Sequence, residues 1–254
     1  MIAILINNNL NIMPLESSKK IALITGASRG LGYAVAAKLA AKGINLVICS
    51  RTNKIFTAQQ LLQNDYPNVD IDALEIDLTD PSAVASLFQQ IEGKWGKLDI
   101  CINNVGFLQM RKFIDMDYEL WQQTIQGNLT TCYLCCQHSF QLMAKSDEAS
   151  AIVNISSLSG IRACEKFAGM SPYIASKHAV VGLTESLAVE GKPYNISVNC
   201  IAPGSIDTDM FRDNFPEYQP GATADEVADV VLRFCDVSQK RLFSGTIFEL
   251  YCNA

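Results

Sequence analysis

Residues 19–50 read KKIALITGASRGLGYAVAAKLAAKGINLVICS. Lys20–Thr25 is a short, apolar, β-rich run. A glycine-rich turn follows, Gly26-Ala27-Ser28-Arg29-Gly30-Leu31-Gly32, then an alanine-rich helix ending near Gly43. Asn45–Cys49 is a second strand. Strand, glycine turn, helix, strand is a βαβ unit, and such a crossover implies a parallel sheet.

The same alternation runs to the end of the chain. Helices are expected over Asn53–Asn64, from Asp80-Pro81 to about Lys94, as one long element over Tyr118–Lys145, over Ser171–Glu190, and from a Thr223/Glu226 capping box to about Asp236. Strands are expected at Asp70–Ile76, Leu98–Ile102, Ala151–Ile155, Ile196–Ile201 and Gly245–Leu250. They read as near-continuous apolar runs, which suits strands covered by helices on both faces. The expected fold class is α/β: a single doubly wound Rossmann domain over residues 19–254, with a seven-stranded parallel sheet. Residues 1–18, polar and asparagine-rich after a short apolar start, read as an extension outside that domain.

Composition narrows the functional classes. Hydrophobic residues make up 49% and charged residues 18%, enough apolar material for a buried core. The formal net charge of -6 and the lack of a basic run argue against nucleic acid or an anionic membrane as partner. No apolar run is long enough to span a bilayer. Nine cysteines, several inside strands, suggest free buried thiols and a reducing, cytoplasmic setting.

The glycine turn is where chemistry begins. Glycines allow a tight turn and close approach to a ligand. The helix N-terminus behind them offers unpaired N–H groups and a positive dipole end to a pyrophosphate. The spacing is G-x-x-x-G-x-G rather than G-x-G-x-x-G, but its place inside a βαβ unit makes it a dinucleotide signal. Gly26, Ser28, Arg29, Gly30, Leu31 and Gly32 form that set. A carboxylate usually follows the second strand to hold the ribose 2′-hydroxyl. Here Cys49-Ser50-Arg51 stands instead. Arg51 and Arg29 suit a 2′-phosphate, which points to NADP as cofactor, with NAD as the alternative.

A second constellation lies at Ser171–Glu190, SPYIASKHAVVGLTESLAVE. Ser171 is placed to cap the helix and Pro172 to start it. Tyr173 and Lys177 are four residues apart and share a face. An ammonium beside a phenol favours phenolate and lowers the tyrosine pKa, so that tyrosine can exchange a proton with a substrate.

Taken with TGASRGLG (25–32), Asp77 in EIDLTD, NNVG (103–106), Asn128 in QGNLTTCYLCCQ, Ser157 in IVNISS and PGSIDT (203–208), these residues resemble the short-chain dehydrogenase/reductase family. The style is that of the 3-oxoacyl-acyl-carrier-protein reductase branch. The likeness implies hydride transfer between NADP(H) and a carbonyl or secondary alcohol. It makes Tyr173 the general acid or base and Lys177 the residue that tunes it and holds the nicotinamide ribose. Ser157 would donate to the substrate carbonyl. Asn128 would shape the long helix and anchor a water feeding protons to Lys177. It further implies Asp77 and Leu78 beside the adenine, and Asn104 and Gly106 along the cleft. Pro203, Gly204, Ile206 and Thr208 would lie at the nicotinamide end. The partner would be a small molecule, and the assembly a homodimer or homotetramer.

Two segments depart from the family pattern. Residues 160–172, GIRACEKFAGMSP, lengthen the stretch between Ser157 and Tyr173. The segment after Thr208, DMFRDNFPEYQPGAT, offers Phe211, Phe215 and Tyr218 either as an apolar cover or as ordinary packing. Cys132, Cys135, Cys136 and His138 read as helix packing, and Asp207 and Asp209 as a loop pair, so no metal is expected. An NAD-linked alcohol dehydrogenase and a non-catalytic NADP-binding regulator are the alternatives on the same fold.

Overall fold

The computed structural model describes residues 19–236 and 243–252. The extension at 1–18 and the last two residues lie outside this range. In chain order the elements begin β1 (Ile21–Thr25), α1 (Gly30–Ala41), β2 (Asn45–Ser50), α2 (Lys54–Asp65), β3 (Ile71–Glu75), α3 (Pro81–Trp95) and β4 (Ile100–Asn103). They continue α4 (Tyr118–Ile125), α5 (Thr131–Met143), β5 (Ser150–Ile155), α6 (Ser171–Glu190) and β6 (Ile196–Pro203). The last are β7 (Ile206–Asp207), α7 (Asp209–Asn214), β8 (Ala222–Thr223), α8 (Ala224–Phe234) and β9 (Ile247–Leu250).

Seven strands form one parallel sheet in the order β3-β2-β1-β4-β5-β6-β9. The chain winds outward from β1 to β3, then crosses back to β4. The switch point therefore lies between β1 and β4, where an open α/β sheet leaves a crevice at the strands' carboxyl ends. Strands β1, β2, β5 and β6 are buried along their whole length. One core cluster joins the sheet to α1, α2 and α8, and another joins it to α3 and α5.

Local chemistry sets the helix ends. Asp80 accepts from the Ser82 N–H and Pro81 starts α3, which stops at the left-handed Gly96. Thr223 and Glu226 form the expected capping box of α8.

Three expectations need correction. The long helix over 118–145 is two helices joined by a π-helical turn, Gln126–Thr130. The extra residue in that turn goes with Asn128 being buried and bonded to the loop after β4, which apolar periodicity does not reveal. Ser171 does not cap α6. It is the first helical residue after Met170, and its buried hydroxyl has no hydrogen-bond partner. Helical backbone at Ser171 takes its hydroxyl away from the N–H groups a cap would serve. Finally, β7 and β8 form a two-residue parallel pair, too short to leave a pattern in sequence.

Candidate active site

The crevice is built from the ends of β1 and β4. Thr25 stitches them: its hydroxyl donates to the Ile102 carbonyl (3.2 Å) and accepts from the N–H of Asn104 (3.0 Å) and Val105 (3.3 Å). The Asn104 amide donates back to the carbonyls of Thr25 (3.0 Å) and Gly26 (3.2 Å). The glycine turn is thereby clamped. Gly26 and Gly30 take positive φ, 67° and 59°. A Cβ on Gly32 would stand 2.5 Å from the Gly26 carbonyl oxygen, so only glycine fits. No side chain caps α1 and its first turn has no acid. A bare helix N-terminus behind a glycine cradle fits a dinucleotide pyrophosphate.

The other expected cofactor positions lie as follows. Asp77 is exposed and its carboxylate accepts from Thr79, while the Leu78 side chain belongs to the core. Pro203 ends β6, and the Gly204 N–H donates to the Leu250 carbonyl (3.0 Å). Thr208 caps α7, and its methyl carbon would lie 3.3 Å from a Cβ on Gly30. The Pro203–Thr208 strap thus reaches the glycine turn, and Ile206 sits within it.

Across the crevice, the end of β5 meets α6. The Ser157 hydroxyl accepts from the Ser159 N–H (3.1 Å), which leaves its O–H to donate. Lys177 is buried and its Nζ donates to the Ile155 carbonyl (2.9 Å). Ser156 donates to the Lys177 carbonyl (2.8 Å). A Cβ on Gly160 would come within 2.6 Å of the Lys177 carbonyl carbon. Asn128 grips the Phe107 backbone with both amide atoms, accepting from its N–H (2.7 Å) and donating to its carbonyl (2.9 Å). Around a Cβ on Gly106 would stand Asn128 Oδ1 (3.6 Å), Met210 Cε (3.6 Å) and Lys177 Nζ (3.7 Å). Residues far apart in sequence therefore converge on one point.

The electrostatics differ from the sequence expectation. Burial raises the Tyr173 pKa above the ordinary tyrosine value, and a Ser157 hydrogen bond only partly offsets it. Burial lowers the Lys177 pKa. The Lys177 ammonium faces the Ile155 carbonyl and stands 5.7 Å from the tyrosine ring centre.

The family model for short chain dehydrogenases matches residues 20–219. The chain belongs to the short-chain dehydrogenase/reductase family. A 3beta-hydroxysteroid dehydrogenase of Mediterraneibacter gnavus is 36% identical over 76% of this chain and 68% of its own. The 3-oxoacyl-acyl-carrier-protein reductase of Aquifex aeolicus is 32% identical over 88% of this chain and 92% of its own. Among solved structures, the NADPH-dependent reductase YwfH, involved in bacilysin biosynthesis, superposes with a TM-score of 0.83 at 25% identity, covering 91% and 96% of the two chains. Family membership makes the protein an oxidoreductase enzyme that uses a nicotinamide dinucleotide.

The rim of this dehydrogenase cleft holds what sequence reading did not foresee. Arg51 is exposed past β2, but Arg29 is engaged, its Nη1 2.6 Å from Asp209 Oδ2. Asp209 drew notice only as half of a loop pair. In the fold the pair splits, with Asp207 gripped by Arg212 through two bonds (2.7 and 2.8 Å). The aromatic residues after Thr208 pack on one another and on Phe167. Phe215 lies 5.5 Å from Phe167, 5.4 Å from Phe211 and 6.1 Å from Tyr218, centre to centre. The two departures from the family pattern thus touch. The Arg111 N–H donating to the Gly169 carbonyl (3.0 Å) ties in a third loop. Ser156, Gly160, Phe167 and Met210 lie in segments that drew notice but were not singled out within them, because each acts through contacts across the fold.

The expectation of free, buried thiols holds. All nine thiols are free and seven are buried. Cys132, Cys135 and Cys136 pack in the core, and His138 stacks on Phe88 at 5.3 Å. Burial pushes Cys49, Cys101, Cys200 and Cys235 up to about 12, so they stay protonated and unreactive. Among the described residues, no helix is long and apolar enough to cross a membrane.

Proposed function

We propose that the protein is an NADP(H)-dependent reductase of a small carbonyl compound, with Tyr173 as the proton donor. The observation that carries this is the meeting of Asn128 and Lys177 beside Gly106, with the Tyr173 ring centre 5.7 Å from the Lys177 ammonium and Ser157 hydrogen-bonded to Tyr173. When bound, the nicotinamide supplies the hydride. The glycine turn and the N-terminus of α1 hold the pyrophosphate, and Arg51 and Arg29 favour a 2′-phosphate. Asp77, Leu78, Asn104, Gly106, Pro203, Gly204, Ile206 and Thr208 line the rest of the path.

A reduction needs a proton delivered to the carbonyl oxygen as charge builds there. Ser157, fixed by the Ser159 N–H, turns its O–H toward that oxygen. Tyr173, kept neutral by burial, donates the proton. Lys177 stabilises the phenolate left behind and binds the nicotinamide ribose. Asn128 holds the 106–107 backbone against Lys177. An NAD-linked alcohol dehydrogenase is the second reading, and Asp209's hold on Arg29 favours it. Purified protein supplied with NADPH and a ketone panel, compared with NADH, tests both.

The same reading includes a cytoplasmic homodimer or homotetramer through α5 and α6, where Tyr133 and Val189 are exposed at 44% and 62%. Light scattering on purified protein at several concentrations checks the assembly, and a monomer throughout would contradict it.

A further inference from the structure

Asp209 stands at a junction. It is the first residue of α7, next to Thr208, which meets Gly30 of the glycine turn. The following residue, Met210, reaches the space over Gly106 beside Lys177 and Asn128. The helix α7 therefore runs from the dinucleotide cradle to the catalytic floor. Its charged link to the cradle is the Arg29–Asp209 ion pair, 2.6 Å long, with side chains 62% and 55% exposed. Arg212 lies close enough for its charge to feel Asp209, but its guanidinium is bonded to Asp207.

We propose that Asp209 is a specificity-determining residue that competes with a cofactor 2′-phosphate for Arg29. This rests on the reading that Arg29 meets that phosphate. An exposed ion pair is weak and releasable. A phosphate dianion is a stronger, bidentate partner for the same guanidinium. A cofactor with the 2′-phosphate takes Arg29 and frees α7 from the glycine turn. A cofactor without it leaves α7 latched. Discrimination between NADP and NAD is thus coupled to the freedom of the helix that reaches over the catalytic floor.

The test is a binding cycle on the full chain without substrate. Kd values for NADPH and NADH are measured by nicotinamide fluorescence for the wild type, Asp209→Asn, Arg29→Ala and the double variant. The expected result is about two- to fivefold tighter NADPH binding in Asp209→Asn, with a smaller change for NADH. The gain should vanish when Arg29 is alanine. Equal tightening for both cofactors would reduce Asp209 to a general field effect and overturn the inference, as would a gain that survives in the double variant. If Arg29→Ala leaves the NADPH/NADH ratio untouched, the underlying reading of Arg29 fails instead. Amide exchange on the wild type needs no variant. Adenosine 2′,5′-bisphosphate should speed exchange over residues 209–214, while 5′-AMP should not, and identical effects from the two would refute the unlatching.

Discussion

Lys177 and Asp209 serve the same cleft but are held by opposite physics. Lys177 is 3% exposed; its Nζ donates to the Ile155 carbonyl, its carbonyl accepts from Ser156, and Gly160 packs closely against its backbone. Asp209 lies on the rim, with 55% of its side chain in solvent and one surface ion pair to Arg29. Around Lys177, displacing an atom means breaking buried polar bonds, which is costly. Around Asp209, the ion pair competes with water and salt. The floor is thus rigid and suited to fixed chemistry. The rim, with its aromatic packing and exposed ion pairs, is suited to choosing what enters.

That contrast can be broken at several points. The largest effect is expected at Tyr173. Tyr173→Phe should lower kcat by about a hundredfold to ten-thousandfold, the share a general acid supplies. NADPH affinity and Tm should stay near wild type, since one hydroxyl is removed. Next comes Arg51→Ala, which should weaken NADPH binding by about ten- to a hundredfold and leave NADH nearly unchanged, measured by fluorescence titration.

Gly160→Ala probes floor rigidity directly. Its Cβ would meet the Lys177 backbone at 2.6 Å. A loss of about 1–3 kcal/mol in urea unfolding is expected, with a fall in kcat. Unchanged stability would show that the floor can yield. On the rim, Phe215→Ala should alter KM for bulky apolar ketones a few-fold while kcat for the smallest ketone holds. It removes edge and stacked contacts with Phe167, Phe211 and Tyr218. A matching fall in kcat for every ketone would place Phe215 with the floor instead.

The pH profile gives the smallest effect within the ordinary range. Because the Tyr173 pKa lies above its usual value, the acid form persists. Reduction, read as kcat/KM, should stay flat across neutral pH and fall only above the ordinary tyrosine range, whereas oxidation should climb with pH.

The same division explains what could be read from sequence. The glycine turn and the Tyr173–Lys177 pair could be picked out from their own spacing, because dinucleotide binding and proton transfer call for particular side chains at particular intervals, whereas Asn128 and Ser157 drew notice only through the family resemblance. The sheet and its switch point were legible from alternating strands and helices. The π-turn was not, because one extra residue leaves the apolar pattern intact while re-aiming Asn128. The raised Tyr173 pKa was not, since burial is a property of the packed fold. The Arg29–Asp209 pair and the meeting of Phe167 with Phe215 join residues distant in sequence, and no local spacing announces them.

The most direct measurement is NADPH oxidation by purified wild-type and Tyr173→Phe protein over a panel of small ketones, steroids, sugars and 3-oxoacyl thioesters. The expected result is turnover of at least one carbonyl by the wild type and its near-complete loss in the variant, with NADPH still bound. Sustained turnover by Tyr173→Phe would contradict the proton-donor role, and tight NADPH binding with no turnover across the panel would contradict the reductase itself.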